Sequence, residues 1–251
     1  MGKIFLSIVI PSYDEMANLQ KGVLDKVEHF LSKKQFPYEV IIVDDGSTDG
    51  SIEFVRHFIQ DSPNFKLIEN SHLGKAGAVT TGVLHSQGDY VLFSDMDQAT
   101  PIEELDKLLP YFDQGFDVVI GSRNAVRKGA PFIRQLVSRA AIIARKLIVG
   151  MEEISDTQCG FKAFRKEAAK KLFTRIDKLH NNFKKIKGSS VNSGFDVELL
   201  YLAEHLNYKI KEVPVSWLYV ETRRVSPIKD SVEGFMDLLR IKVKALRGEY
   251  N

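Results

Sequence analysis

The stretch Tyr90-Val91-Leu92-Phe93-Ser94-Asp95-Met96-Asp97 joins a short apolar run to two carboxylates that are one residue apart. A run of this kind predicts a buried strand. Because side chains alternate along an extended chain, Asp95 and Asp97 are expected to point to the same side. Open α/β sheets bind their ligands at the carboxyl ends of the strands, which is where both acids would lie.

Two carboxylates this close raise one another's pKa unless a cation lies between them. Mg²⁺ is usually held by one or two carboxylates together with substrate phosphates. The pair Asp95 and Asp97 therefore predicts a metal–diphosphate site. The alternative is a solvated turn with two acids, which would be favoured for an isolated Asp-x-Asp but not beside the motifs described below.

Composition describes an ordinary soluble globular protein. Of its 251 residues, 44% are hydrophobic and 27% are charged, enough for one large α/β domain or two small ones. The net charge of +2 gives no general attraction to nucleic acid. The single cysteine, Cys159, excludes an intrachain disulfide, which fits a reducing compartment and leads us to expect a cytoplasmic protein.

Hydropathy predicts no membrane-spanning segment. Residues 4–10 predict a strand rather than a signal peptide, and no stretch reaches the roughly 18 apolar residues of a membrane helix. Basic residues are concentrated between positions 117 and 152, where there is no acid: Arg123, Arg127, Lys128, Arg134, Arg139, Arg145 and Lys146. Such a segment forms either a solvated helix face or a surface that meets phosphates or an anionic membrane.

Predicted strands alternate with predicted helices along the chain. The strands are expected at 4–10, 38–43, 66–69, 90–93, 117–120 and 209–217, and the helices at 18–31, 51–59, 74–86, 100 onward, 132–149, 166–173, 196–206 and 228–246. This alternation predicts a mostly parallel sheet with helices on its faces. Asn18 and Thr100 are the expected helix caps, and residues 181–188, rich in Lys and Asn, are expected to form a loop.

Two further motifs follow predicted strands. In Asp44-Asp45-Gly46-Ser47-Thr48-Asp49, Gly46 permits a tight turn, and Asp44 could hold a ribose hydroxyl or a base N–H. An Asx-turn with a helix cap is the alternative for Asp44. Gly74-Lys75-Ala76-Gly77 has the composition of a phosphate-binding loop without the Walker spacing, and Lys75 could meet a phosphate.

Taken in order, these motifs resemble those of the inverting GT-A glycosyltransferases that use nucleotide sugars. The matching segments are Val9-Ile10-Pro11-Ser12-Tyr13-Asp14-Glu15, Val43 to Asp49, Gly74 to Ala78 and Asp95-Met96-Asp97. Three later segments look like the branch that glycosylates polyprenyl phosphates, with dolichyl-phosphate β-glucosyltransferases the closest resemblance: Gly121-Ser122-Arg123, Asp156-Thr157-Gln158-Cys159-Gly160-Phe161-Lys162 and Phe195-Asp196-Val197-Glu198. The resemblance runs from residue 7 to about residue 248.

The resemblance implies a GT-A (Rossmann-like) three-layer α/β fold with a mostly parallel central sheet. It implies a catalytic domain at 1–226, with a nucleotide-sugar half at 1–97 and an acceptor half at 98–226, followed by an amphipathic helix at 227–251. The implied reaction is metal-dependent, inverting transfer of a sugar, expected to be glucose, from a UDP-sugar to a polyprenyl (dolichyl-type) phosphate. The implied metal is Mg²⁺ or Mn²⁺.

The same resemblance assigns roles to individual residues. The nucleotide-sugar would be bound by Pro11, Tyr13, Glu15, Asp44, Gly46, Lys75, Asp95 and Gln158. Asp95 and Asp97 would hold the metal, and Arg123 would meet the acceptor phosphate or the leaving diphosphate. Asp156, with Gln158, would line the sugar and acceptor side, and the catalytic set is Asp97, Arg123 and Asp156. Mannosyl relatives place a third ligand, a glutamine, where this chain has Ala99 beside Gln98.

Two alternative functions remain open. If the acceptor is a hydroxyl of a glycan or lipid-linked oligosaccharide, a general base is needed, and Asp156 is the candidate. A phosphate acceptor needs none, because its second pKa of about 6 leaves it largely ionised at neutral pH. The other alternative is an inactive GT-A fold that serves as a binding module.

A lipid-phosphate acceptor would bring the enzyme to a membrane surface, as a peripheral protein on the cytoplasmic face. The candidate docking surface combines the basic segment 123–146 with the C-terminal amphipathic helix, whose cations are Lys229, Arg240, Lys242, Lys244 and Arg247. The alternative for this helix is packing on the domain with its lysines in solvent.

Overall fold

The computed structural model describes residues 3–123, 144–180, 183, 193–218 and 227–251. Its seven strands are β1 (Leu6–Ser12), β2 (Tyr38–Asp44), β3 (Phe65–Glu69), β4 (Tyr90–Ser94), β5 (Val118–Ser122), β6 (Phe161–Arg165) and β7 (Ile210–Pro214). They form one sheet in the order β3-β2-β1-β4-β6-β5-β7. Neighbouring strands are parallel, except that β6 runs antiparallel to both β4 and β5.

Helices cover both faces of this sheet. They span Met16–Leu19, Val23–Leu31, Ser51–Asp61, Gly74–His85, Leu105–Leu108, Pro110–Asp113, Lys166–Leu179, Ser193–His205 and Pro227–Leu246, with a 3₁₀ turn at Ile102–Glu104 and a helical segment at 144–149. One hydrophobic layer contains the helices that begin at Gly74, Lys166 and Ser193. The opposite layer contains the helices that begin at Val23 and Ser51 and the short turns after residue 101.

The strands are apolar throughout because both of their faces are buried. In β1 and β2, Val9 and Ile41 enter one layer, while Ile8 and Val40 enter the other, and all are at most 1% exposed. Near-continuous apolar runs are typical of parallel strands covered on both sides. The predicted three-layer GT-A fold with a mostly parallel sheet is confirmed.

Strand β6 is the element that the sequence pattern missed. No strand was predicted between residues 120 and 209, but Phe161–Arg165 forms an antiparallel strand between β4 and β5. The strand was not predicted because its second residue is Lys162, and a lysine in the sequence indicates a solvent-exposed position. Its side chain is in fact fully buried.

Both predicted helix caps are wrong. The first helix begins at Met16, so Asn18 lies inside it, where its amide donates to the Glu15 carboxylate at 2.5 Å. A left-handed Gly22, at φ 70°, then separates this helix from Val23–Leu31. After Thr100 the chain forms a 3₁₀ turn with no side-chain cap. The predicted helix at 132–149 lies mostly, and the predicted loop at 181–188 almost entirely, outside the described residues.

The C-terminal helix packs on the Ser193–His205 helix through Leu238 and Ile241, which are 6% and 3% exposed. Beyond it, the Tyr250 hydroxyl donates to Glu198 at 2.6 Å and fixes the end of the chain. Among the residues that the structure describes, no helix is long and apolar enough to cross a membrane.

Candidate active site at the carboxyl edge of the sheet

The predicted site residues lie at or beyond the carboxyl ends of the parallel strands, except that Asp156 and Gln158 precede β6, the antiparallel strand that begins at the same edge of the sheet. Three non-glycine residues in loops at this edge have positive φ: Asp14 at 51°, His72 at 68° and Gln98 at 48°. Such backbone conformations are strained and are found mainly where the surrounding structure holds a functional loop in place.

Asp44 shapes its own loop. Its carboxylate accepts hydrogen bonds from the Gly46 N–H at 3.0 Å and the Ser47 N–H at 2.8 Å, and from the Ser47 hydroxyl at 2.6 Å. Gly46 has φ 86°, which this turn requires. These contacts correspond to the Asx-turn alternative for Asp44.

Asp45, the neighbouring acid, joins two loops and was not singled out by the sequence. Its two carboxylate oxygens accept the N–H groups of Leu73 and Gly74, each at 2.7 Å, and so fix the start of the Gly74–His85 helix. Burial raises the pKa of Asp45, although these hydrogen bonds act in the opposite direction.

The first motif lies beside this pair of loops. The Tyr13 ring stacks on the His72 ring with centroids 4.4 Å apart, and His72 Nδ1 is 2.8 Å from the Asp45 carbonyl oxygen. Pro11 pairs with Val43 across β1 and β2. The Glu15 N–H donates to the Ser51 hydroxyl at 3.1 Å, so this motif is tied to the Ser51–Asp61 helix.

Asp95 and Asp97 follow β4, as predicted. The Lys75 ammonium lies 2.5 Å from Asp95 Oδ1, which brings the glycine-rich motif to the first acid. Burial lowers the pKa of Lys75, but Asp95 and Asp196 outweigh this and raise it. Asp97 Oδ1 accepts the Ala99 N–H at 3.0 Å.

Gly160 creates the space that Asp95 occupies. A Cβ atom at position 160 would lie 1.9 Å from Asp95 Oδ2. The Gly160 carbonyl also accepts the Asp95 N–H at 3.2 Å. No local sequence pattern indicates this contact, because residues 95 and 160 are brought together only by the pairing of β6 with β4.

Arg123 and Asp156 form a bidentate ion pair. The Asp156 carboxylate accepts Arg123 N at 2.9 Å, Nε at 2.8 Å and Nη2 at 2.8 Å. Burial opposes ionisation of Asp156, but the hydrogen bonds and charge of Arg123 prevail and lower its pKa to about 2. The sequence had placed Asp156 in the wall of the sugar site and made it the candidate base. Instead it is 4% exposed behind Arg123, and its low pKa makes it a poor base.

Asp95, Asp97 and Arg123 line one cavity of about 150 Å³. It is lined by Ser94, Asp95, Asp97, Ala99, Thr100, Arg123, Gln158, Gly160 and Trp217. Four predicted residues therefore meet here, and Lys75 contacts one of them. Pro11, Tyr13, Glu15, Asp44 and Gly46 lie on the adjoining loops and do not line this cavity.

Trp217, the last residue of the predicted strand at 209–217, lies beyond the end of β7. It lines the cavity, and the Arg123 guanidinium carbon lies 5.9 Å from the centre of its ring. Cationic side chains are attracted to the faces of aromatic rings at this range. Trp217 and Asp156 therefore both contact Arg123 and restrict its orientation.

The donor set at β4 is compatible with a hard divalent cation. Within the described ranges, no three or more His, Cys, Asp or Glu side chains are grouped so that they alone could hold a metal ion. Two carboxylates, Asp95 and Asp97, face one cavity. Mg²⁺ sites of this kind are completed by substrate phosphate oxygens and water.

Comparison with known proteins identifies the family. The profile of the family described as Glycosyl transferase family 2 matches residues 7–173. A dolichyl-phosphate β-glucosyltransferase of Dictyostelium discoideum is 32% identical over 98% of this chain and 76% of its own length. The Saccharomyces cerevisiae protein of the same name is 33% identical, over 99% and 77%.

Solved structures agree at the level of the fold. Glucosyl-3-phosphoglycerate synthase from Mycobacterium tuberculosis, solved with Mn²⁺, UDP and glucosyl-3-phosphoglycerate, is 16% identical with a TM-score of 0.61, over 96% of this chain and 79% of that one. Mannosyl-3-phosphoglycerate synthase from Rubrobacter xylanophilus has the same identity and TM-score, over 98% and 75%. The resemblance inferred from the motifs is thereby confirmed, and the chain belongs to glycosyl transferase family 2, with dolichyl-phosphate β-glucosyltransferases among its relatives.

Proposed function

We propose that this protein transfers glucose from UDP-glucose to a polyprenyl phosphate of the dolichyl type, with inversion at the anomeric carbon. The observation that carries the proposal is the cavity in which Asp95 and Asp97 face Arg123, an arginine fixed by Asp156. Relatives named as dolichyl-phosphate β-glucosyltransferases match nearly the whole chain, the acceptor half included, which supports the choice of donor and acceptor.

The donor side is formed by the loops after β1 and β2 and by the Gly74–His85 helix. Tyr13 offers a ring for the base, while Pro11, Glu15, Asp44 and Gly46 shape the surrounding loops. Lys75 is the second residue of this helix, and its ammonium adds a positive charge toward the diphosphate.

A divalent cation, Mg²⁺ or Mn²⁺, would be held by Asp95 and Asp97 and would stabilise negative charge on the leaving UDP. Lys75 neutralises Asp95 in the structure. The Lys75 ammonium, 2.5 Å from Asp95 Oδ1, would therefore lie beside the bound cation and the diphosphate.

The acceptor side is formed by Arg123 and Gln158. The guanidinium of Arg123, oriented by Asp156, can bind a phosphate through its remaining N–H donors. An ionised phosphate oxygen attacks the anomeric carbon directly and needs no base. The state of Asp156, ionised and bound at both oxygens, favours this acceptor over a sugar hydroxyl.

The C-terminal helix is our proposed membrane contact. Six of its large apolar side chains are between 38% and 77% exposed: Val232, Phe235, Met236, Leu239, Val243 and Leu246. At about 100° per residue they fall within about 100° of arc, and the buried Leu238 and Ile241 lie outside that arc. Arg240 and Arg247 flank the stripe on one side and Lys242 on the other, which suits an anionic lipid surface. The proposed contribution of segment 123–146 falls largely outside the described residues.

The activity is tested by following nucleotide release from a panel of UDP- and GDP-sugars with Mg²⁺ or Mn²⁺, with and without a short polyprenyl phosphate. The expected result is release of UDP from UDP-glucose only when the lipid phosphate is present. Asp97→Ala should abolish it, while Asp113→Ala, an exposed acid at the opposite edge of the sheet, should not. Metal-dependent UDP-glucose binding without lipid-dependent turnover would contradict the acceptor, and no nucleotide binding would contradict the activity altogether.

The membrane contact is tested by co-sedimentation with vesicles that contain anionic lipid. Phe235→Asp combined with Leu239→Asp should abolish sedimentation and leave the melting temperature nearly unchanged, because both side chains are exposed. Gln60→Asp, an exposed position on the Ser51–Asp61 helix, is the control for added negative charge. Unchanged sedimentation of the double variant would contradict docking through this stripe.

A further inference from the structure

Lys162 places a charge in the middle of the sheet. Its side chain is 0% exposed, and its ammonium donates to Asp196 Oδ1 and to the Cys159 carbonyl, each at 2.5 Å. Asp196, at the start of the Ser193–His205 helix, is itself only 9% exposed. Buried ion pairs of this kind are weak stabilisers compared with apolar residues of the same volume, so stability alone does not explain the pair.

The Lys162 ammonium donates to the backbone of the 156–160 segment, and this segment contacts both Asp95 and Arg123. One residue after Cys159, Gly160 accepts the Asp95 N–H and packs against the Asp95 carboxylate. Three residues before Cys159, the Asp156 carboxylate accepts hydrogen bonds from the backbone N–H and the guanidinium of Arg123. A shift of this segment would therefore move the metal-binding acid and the phosphate-binding arginine together.

Asp196 also acts electrostatically on the cations of the same site. Burial lowers the pKa of Lys75 and of Arg123, and the charge of Asp196 is one of the contributions that raise both. Lys162 balances that charge, so phosphates approaching the cavity meet two cations rather than an unpaired carboxylate. Lys162 also lies 5.1 Å from the centre of the Phe93 ring, in the strand that leads to Asp95.

We propose that Lys162 and Asp196 are a positioning pair that fixes the 156–160 segment, and with it the relative placement of Asp95 and Arg123. Neither residue lines the cavity between those two side chains, so the pair acts through its contacts and not on the substrate. The proposal deepens the proposed function and rests on it for the turnover assay. Mn²⁺-dependent binding of UDP supplies a readout that does not require the acceptor.

The test compares Lys162→Met with the double variant Lys162→Met/Asp196→Leu. The single variant leaves a buried carboxylate unpaired and should lower the melting temperature, whereas the double variant removes both charges and should recover it. Misplacement by about 1 Å costs on the order of 100-fold in rate, so kcat/KM should fall by about that factor in both variants. Affinity for UDP with Mn²⁺ should fall in both as well.

Lys170→Met is the matched control. Lys170 is a half-buried lysine whose ammonium, like that of the fully buried Lys162, donates to backbone carbonyls, here those of Val83 and Leu84 at the far end of the Gly74–His85 helix. The Lys170→Met variant should bind UDP with wild-type affinity. A double variant that recovers stability together with wild-type kcat/KM and UDP affinity would overturn the proposal. Wild-type protein that binds UDP without lipid-dependent turnover would instead contradict the proposed function and leave the binding test of the pair in force.

Discussion

Replacement of Gly160 by alanine isolates the placement of Asp95. The added Cβ would lie 1.9 Å from Asp95 Oδ2, 2.4 Å from Cγ and 2.8 Å from Oδ1, whereas ordinary contacts begin at 3.4 Å. The carboxylate must therefore retreat by about 1.5 Å to restore van der Waals separation. Gly160 does not have the positive φ that would strain an alanine backbone. The Asp95 side chain is 35% exposed, so it can rotate away at a cost of about 1 kcal/mol in folding stability.

This displacement should be far more damaging to activity than to stability. A shift of about 1 Å at a reacting or metal-binding group costs on the order of 100-fold in rate, so Gly160→Ala should lower lipid-dependent UDP release at least that much. The apparent affinity for Mn²⁺ in the same assay should weaken. Gly234→Ala, at a helical glycine with nothing within 4 Å of the added Cβ, is the control and should retain full activity. Gly160→Ala with turnover within about twofold of wild type would refute the reasoning from this contact.

Two carboxylates with low pKa values give further predictions. Asp156→Asn should cost on the order of 2 kcal/mol at neutral pH, because the pKa of Asp156 is lowered to about 2. That contribution is complete above the ordinary carboxyl range and lost as pH falls toward 2, so urea denaturation should show the gap between variant and wild type closing on acidification. Glu198 accepts hydrogen bonds from His180, Lys244 and Tyr250, which outweigh its burial and lower its pKa to about 2. Glu198→Gln should therefore destabilise by about 3 kcal/mol and loosen the C-terminal helix, which hydrogen exchange would detect; unchanged protection of that helix would contradict this role.

The parts of the fold that sequence predicted are those dictated by local burial. Strands β1, β2 and β4 are apolar on both faces, so their extent and their parallel arrangement follow from composition and alternation with helices. The acids that follow β2 and β4 were placed at one edge for the same reason. Strand β6 was not predicted because Lys162, at its second position, is paired with a residue 34 positions away, which no local pattern reveals.

The roles of the individual site residues could not be predicted from the sequence. Each role depends on which carboxylate oxygens already accept hydrogen bonds from other parts of the protein. Asp44 and Asp45 are adjacent in sequence, yet one closes its own turn and the other joins a distant helix. Asp156 was the candidate general base, but the structure pairs it with Arg123. Gly160 and Trp217 contribute only through contacts set by strand pairing and by the chain after β7.

The ion pair between Asp156 and Arg123 bears on the choice of acceptor. A hydroxyl acceptor requires a carboxylate with an accessible oxygen and a pKa near the working pH, whereas Asp156 is bound at both oxygens and titrates near 2. An acceptor that is already anionic requires a fixed cation instead, and the same three hydrogen bonds that make Asp156 a poor base hold Arg123 at the cavity. In the ion pair, the Asp156 carboxylate orients the arginine and is not available to take a proton. This arrangement suits a phosphate nucleophile and does not suit a sugar hydroxyl.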